Sequence, residues 1–233
     1  MERPSVSKSA TWCLRMPSPL GHALAGGIAA SLLARGASPT DAVHRPWRVW
    51  RDRRWLGAVA VAVLPDADLL LPVTHRTLTH SLLISGLLFI VVAVVTGWVT
   101  RRVQWRSALL FALAHASHVG LDWLGVDPHP PAGVALAWPW SREFFVSAWT
   151  VFPPVDRRML TLAAWQTNAW AALVEVAWLG PVLAASVLWT ARRARLRVEA
   201  SDLDAADDVG TQQLLQASKD QGRRADDGRH PRA

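Results

Sequence analysis

The sequence predicts an all-α fold, a multi-helix integral membrane bundle of about five apolar helices. Hydrophobic residues make up 51% of the 233 residues, and they are gathered into runs rather than spaced along amphipathic faces. The basic residues are nearly all Arg, and many of them cluster in segments beside those runs. This arrangement favours the lipid bilayer as the partner and argues against nucleic acid as the reason for the net charge of +7.

Five apolar segments account for the predicted helices. The third is the clearest, because it holds 18 residues without a charge, about the length that crosses a hydrocarbon core. The first two are shorter and would have to tilt or pack against the others. The fifth contains Pro181, which predicts a kink. The segments are residues 20–34, 55–72, 82–99, 107–124 and 168–190.

Residues 16–190 form the predicted membrane-embedded domain, and the regions on either side of it are more polar. Residues 1–15 are a polar leader, and residues 191–233 begin with four Arg and continue as a mixed-charge tail, which we expect to be disordered. Residues 125–160 form a long connection rich in Pro and Trp. A rim or lid at the membrane interface and a plain irregular loop are both consistent with that composition.

The distribution of charge predicts the topology. Basic stretches at residues 35–54, 100–106 and 192–197 should lie in the cytoplasm by the positive-inside rule. Five crossings then place the opposite ends of the helices outside. Clusters of His and Asp lie at those opposite ends, so we expect them to converge on one site at the outer face.

The fourth apolar segment carries His115, His118 and Asp122 on one helical face. His118 and Asp122 are four residues apart and could hold one metal ion between them. A core His bonded to a carboxylate is the alternative for an isolated pair. His115 lies deeper in the segment, so a supporting role suits it better than ligation.

The second apolar segment contains Asp66 and Asp68 beside Pro65, which favours a break in the helix there. Both carboxylates could bind metal, or one could bind while the other acts as a base. A solvated turn at the membrane interface is the alternative. The flanking Leu residues argue against simple solvation.

The remaining candidates are less regular in spacing. His75 and His80 are five residues apart, so a turn rather than a continuous helix must bring them together. Arg76 lies between them, where it could grip a phosphate or carboxylate. His22 joins the group through its predicted position beside the other clusters. Glu175 either completes the site or pairs with an Arg such as Arg142.

The resulting donor set contains imidazole nitrogens and carboxylate oxygens. These donors suit a divalent metal, zinc foremost, with manganese or iron as alternatives. Such ions activate water and stabilise the oxygens of a displacement reaction. The predicted metal ligands are His22, Asp66, Asp68, His75, His80, His118 and Asp122.

Four motifs together give the chain a recognisable pattern: GHALAG at 21–26, LPDAD at 64–68, HRTLTHS at 75–81 and SHVGLD at 117–122. In this order they resemble the YdjM-like family of bacterial membrane-bound metal-dependent hydrolases, over residues 16–190. The resemblance implies a multi-pass protein of the inner membrane whose motif His and Asp bind metal. The ligand pattern is also distantly similar to that of zinc-dependent phospholipase C.

Two functional hypotheses follow. The first is a membrane-bound metal-dependent hydrolase that acts on a phosphoester or a lipid by metal-activated water. In this hypothesis Asp66 or Asp68 is the general base and Arg76 stabilises the developing anion. The second is a metal-binding membrane protein without catalysis.

Overall fold

A computed structural model describes residues 17–33, 52–70, 77–125, 132–156 and 161–227. These ranges contain five α-helices and no strand, so the all-α prediction is confirmed for them. Two short 3-10 segments, Leu64–Leu70 and Leu78–His80, lie between the second and third helices. The helices are α1 Pro19–Leu33, α2 Arg53–Val63, α3 Leu82–Thr100, α4 Trp105–Leu124 and α5 Leu162–Asp227.

Small residues let α1, α2 and α4 pack closely at the centre. Their shared core contains four alanines and Leu110, and all five are buried. Gly26 of α1 lies so near α2 that an added Cβ would be 2.6 Å from the Ala62 Cβ and 3.0 Å from the Ala58 carbonyl oxygen. Only glycine fits such an approach of two helices, which is typical of packing between membrane helices. The contact fixes the position of α1 along the axis of α2.

The other two helices, α3 and α5, lie beside this core. α3 packs against α4, and α5 packs against α1. By length and composition, two of the helices could cross a membrane, α3 and the helix that contains Leu162–Ala217. Membrane crossing by α1, α2 and α4 stays a prediction.

The expectation for the tail needs correction. We expected the tail to be disordered, with at most a transient helix at residues 203–215, whereas α5 continues to Asp227. A helix that is already nucleated extends at little cost through residues such as Ala, Leu, Gln and Arg. Nearly all of the side chains described between residues 199 and 217 are exposed. This part of α5 therefore adds nothing to the core, in line with its polar composition.

The connection between α4 and α5 folds over one end of the bundle. Phe152 packs with Ala25 of α1 and Leu121 of α4. The Leu82 backbone N–H at the start of α3 donates to the Leu136 carbonyl oxygen, 3.1 Å away. Residues 132–156 are therefore attached to the end of the bundle that carries the predicted ligands.

Candidate metal centre

Four of the predicted ligands meet in one place. His22 comes from α1, Asp66 from the 3-10 segment after α2, and His118 and Asp122 from α4. One ligand atom from each lies within 4.8 Å of the others, and the group could hold a metal ion. Three of the side chains are fully buried, and that of Asp66 is 14% exposed. The site can thus be approached from the side of Asp66.

His118 is held in the tautomer that suits a ligand. Its Nδ1 lies 2.8 Å from the Ala62 carbonyl oxygen, which can only accept a hydrogen bond. Nδ1 must therefore carry the proton, and the lone pair of neutral His118 is on Nε2. Nε2 lies 3.2 Å from Asp122 Oδ2 and 3.8 Å from Asp66 Oδ1. A backbone carbonyl behind a ligand His is the usual means of orienting it.

His22 stacks on His118 and faces the same two carboxylates. The ring centroids are 3.9 Å apart. His22 Nε2 lies 3.5 Å from Asp122 Oδ1 and 3.8 Å from Asp66 Oδ2. The glycine contact between α1 and α2 brings this ring to the level of Asp66.

His80 contributes a fifth donor. Its Nε2 lies 3.2 Å from Asp122 Oδ2 and 3.6 Å from Asp66 Oδ1. On the opposite edge of the ring, Nδ1 lies 2.9 Å from the Thr79 hydroxyl and 3.5 Å from Asp68 Oδ2. The Thr79 hydroxyl donates to Asp68, so its oxygen can accept from His80 Nδ1. This arrangement points the His80 lone pair at the cluster.

The Asp68 carboxylate therefore lies in a different position from the one that the sequence predicted. We predicted a metal ligand or a base, but the structure puts its carboxylate behind His80. The 3-10 geometry of Leu64–Leu70 explains the difference, because it turns Asp66 and Asp68 toward different neighbours. Carboxylate–His–metal chains of this kind raise the basicity of the ligand His.

The buried polar atoms test whether the site fits a metal. Both ring nitrogens of His22, Nε2 of His118, Oδ1 of Asp66 and both oxygens of Asp122 make no hydrogen bond to any described residue. Burying such groups without a partner is costly. One cation would satisfy Nε2 of both His residues and the carboxylate oxygens, whereas His22 Nδ1, on the other edge of its ring, needs another partner. A tetrahedral ion with bonds of about 2.0–2.1 Å holds its ligand atoms about 3.3 Å apart. The nearest nitrogen–oxygen distances, 3.2–3.8 Å, are close to that spacing, and one ligand atom from each of the four residues lies within 4.8 Å of the others, so these residues could hold a divalent ion.

Without a metal, a proton has to balance these carboxylates. Burial lowers the pKa of His80, but the facing Asp122, Asp66 and Asp68 carboxylates outweigh burial and raise that pKa to about 10. Burial raises the pKa of Asp66, but the His80, His118 and His22 rings outweigh it and the pKa is lowered. At neutral pH a protonated His80 thus supplies charge that a metal would replace.

His115 lies beside the site, with both ring nitrogens occupied. Nε2 is 3.0 Å from the Thr79 carbonyl oxygen and must donate to it. In the neutral ring, Nδ1 then accepts from the Ser85 hydroxyl, 2.9 Å away. His115 therefore fixes the Thr79 backbone next to His80, which agrees with the supporting role that its depth predicted.

Glu175 neither joins the centre nor pairs with Arg142. Its carboxylate accepts hydrogen bonds from the Ser18 backbone N–H, at 2.6 Å, and from the Ser18 hydroxyl. These bonds hold the start of α1, four residues before His22. Sequence reasoning missed this partner because no spacing rule links residues 157 positions apart.

Two predicted site residues, His75 and Arg76, lie outside the described residues.

Comparison with known proteins gives one match. A family model described as YdjM inner membrane protein matches residues 16–195. The chain belongs to the YdjM inner membrane protein family. No curated protein and no solved structure matches the chain. The matched range contains α1 to α4 and every residue of the centre, so the resemblance seen in the four motifs is confirmed.

Proposed function

We propose that this YdjM family member is a membrane-bound metal-dependent hydrolase that acts on a phosphoester, with zinc as the first candidate metal and manganese or iron as alternatives. The observation that carries the proposal is the set of buried His and Asp donors that lack protein partners and face one point. A divalent ion held there would polarise a phosphoryl oxygen and lower the pKa of a bound water.

The residues of the centre divide into two roles. His22, His118 and Asp122 are fully buried and would hold the ion rigidly. Asp66 is the partly exposed member, so its second oxygen can meet an incoming water and accept its proton. His80, backed by Thr79 and Asp68, would complete the coordination or hold a proton for the leaving group.

An apolar cavity favours a lipid as the substrate. Its volume is about 450 Å³, and it lies between the start of α3 and residues 136–145. Leu82 at one end is two residues from His80, while Ile90 and Trp140 are exposed on the outside of the fold. The cavity could take an acyl chain from the bilayer while the attached phosphoester reaches the metal centre.

The charges support the proposed orientation in the inner membrane. Arg54 lies in the first turn of α2 and Arg106 in that of α4, whereas Asp66 follows the far end of α2 and Asp122 lies at the far end of α4. If the basic ends face the cytoplasm, the metal centre lies toward the outer face. Fusion of reporters after residue 102 and at residue 133 tests this, since the two should report opposite sides.

Non-catalytic metal binding is the second candidate, and one observation favours it. His22, Asp66, His118 and Asp122 alone provide four ligands, and closed four-ligand zinc sites are usually structural. Turnover by the wild-type protein separates the two functions.

The test uses purified wild-type protein loaded in turn with zinc, manganese or iron. We expect release of phosphate or of the headgroup from a lipid phosphoester, and slower turnover of a short-chain ester with the same headgroup. Asp66→Asn should remove most turnover, while Asp202→Asn, at an exposed position of α5, should not. Absence of wild-type turnover on any phosphoester, together with full metal content, would assign the protein to metal binding without catalysis.

A further inference from the structure

A second cavity, lined in part by polar side chains, lies at the end of the bundle opposite the metal centre. Its volume is about 460 Å³, within the range of about 300–1,000 Å³ typical of small-ligand sites. Three arginines from separate turns line it: Arg54 from α2, Arg102 from the turn between α3 and α4, and Arg106 from α4. Ser107 and the buried Leu110 lie at its inner side.

Among the residues that the structure describes, no acidic side chain lines this cavity. In the part of the chain that the structure describes, no carboxylate forms an ion pair with any of the three guanidinium groups. Asp52 is near in sequence, but its carboxylate accepts from the Arg54 backbone N–H and caps α2. The Arg54 guanidinium instead reaches the Gln104 amide oxygen at 3.5 Å. Three arginines thus line one cavity, and among the described residues no carboxylate neutralises them.

Guanidinium groups grouped in this way match one kind of ligand. All three arginines are exposed, and an anion in the cavity would be attracted by each of their charges. The planar guanidinium fork binds phosphate oxygens in pairs, and Arg is favoured over Lys where such paired contacts matter. All three cations here are Arg. A phosphate group with its attached alcohol is also of a size that the cavity accepts.

The position of the cavity relates it to the membrane surface. Arg106 and Asp122 are 16 residues apart on α4, or about 24 Å at 1.5 Å per residue. That length approaches the hydrocarbon thickness of about 30 Å, so the two sites would lie near opposite faces of a bilayer. Trp105 (61% exposed) and Val103 (41%) lie beside the arginines. Trp at this level is typical of the interface, where lipid headgroups are found.

We propose that this cavity binds the phosphate group of an anionic ligand, which an anionic lipid headgroup or a soluble phosphate compound would supply. The cavity and the metal centre share no residue. Anion binding in this cavity therefore does not depend on the proposed hydrolase activity. Basic pockets between membrane helices are known to hold anionic headgroups in this way.

The test is a binding titration of the full-length protein in a neutral detergent. Short-chain phosphatidylglycerol, short-chain phosphatidylcholine and inorganic phosphate are the three probes, and calorimetry gives each Kd. We expect phosphatidylglycerol to bind and phosphatidylcholine to bind at least about tenfold more weakly. In the double variant Arg54→Gln/Arg106→Gln, the Kd for phosphatidylglycerol should rise by about tenfold or more, since two charge-assisted contacts are lost.

A matched variant controls for overall charge. Arg192→Gln/Arg197→Gln removes the same charge from α5, outside the cavity, and should change that Kd less than about twofold. Metal content should stay at the wild-type level in both variants, which shows that each is folded.

The three probes also separate the two sources of phosphate. Inorganic phosphate that binds as tightly as the lipid, with the same loss in the cavity variant, supports the site and assigns it to a soluble compound. Equal weakening in the cavity and control variants would overturn the proposal, because surface charge alone would then explain binding. Absence of anion binding to the wild type would overturn it as well.

Discussion

Replacement of Gly21 by Ala should weaken both the fold and the metal centre, because Glu175 occupies the space that the new methyl group needs. A Cβ at position 21 would lie 2.8 Å from the Glu175 Cδ and 3.0 Å from both carboxylate oxygens. Glu175 is fully buried, and its carboxylate is bonded twice to Ser18. To relieve the overlap, the carboxylate must move away from Ser18 or α1 must shift.

The expected cost follows from the contacts at stake. A hydrogen bond to a charged group is worth about 1.5–3 kcal/mol, and overpacking a buried position costs about 1–3 kcal/mol. Loss of one of the two bonds with some residual overlap gives a decrease in unfolding free energy of roughly 2–4 kcal/mol. For a chain of this length that corresponds to a drop in Tm of roughly 5–15 °C. Because His22 follows Gly21 directly, metal affinity should fall as well.

Gly120→Ala is the matched control. Gly120 lies in α4 between His118 and Asp122, and an added Cβ there would meet no atom within 4 Å. Alanine should stabilise the helix by about 0.5–1 kcal/mol, so the Tm should stay or rise slightly. Thermal unfolding followed by tryptophan emission, with metal content measured on the same samples, compares the variants. A Tm for Gly21→Ala equal to that of the wild type would refute the role given to Glu175.

Three further predictions concern the residues around the centre. Asp68→Asn should weaken metal binding by about 10–100-fold in a chelator competition, because Asp68 supports His80 without facing the ion; an unchanged affinity would contradict that placement. His115→Ala should keep its metal and His118→Ala should not, since of these two residues His118 alone points a lone pair at the cluster; equal metal contents would argue against this distinction. With buffered free metal, affinity should rise about tenfold per pH unit from pH 7 to 9, because the His80 proton, with a pKa of about 10, must leave; a flat profile would count against His80 as a ligand.

The same pKa sets how the metal-free protein responds to pH. The pKa of His80 is raised from 6.5 to about 10, so its contribution to stability is complete below about pH 6.5. That contribution is lost as the pH rises toward 10. The unfolding midpoint of the metal-free protein should therefore fall across this window, while the metal-loaded protein should change less.

Local spacing explains which parts of the site the sequence predicts. His118 and Asp122 are four residues apart on one helix, and that geometry holds in any helical fold. Convergence of His22 and Asp66 on them follows from their positions at the same end of α1 and α2. The helical class follows from the long apolar runs.

Other features depend on contacts that no local pattern encodes. The partner of Glu175 is Ser18, near the far end of the described chain, and only the packing of α5 against α1 brings them together. The role of Asp68 depends on the direction in which a 3-10 segment turns its side chain. The arginine cavity joins α2 to the start of α4, and the sequence predicts only that basic residues share one side of the membrane.

Metal content of the purified protein tests the central claim most directly. Elemental analysis by mass spectrometry should be run on the wild type and on His118→Ala/Asp122→Ala, expressed and purified in parallel without chelators. We predict at least about one tightly held divalent ion per wild-type chain, with zinc the first candidate, and close to none in the double variant, which should still insert into the membrane. Full metal occupancy in the double variant would contradict the account, since the ion would then be bound elsewhere.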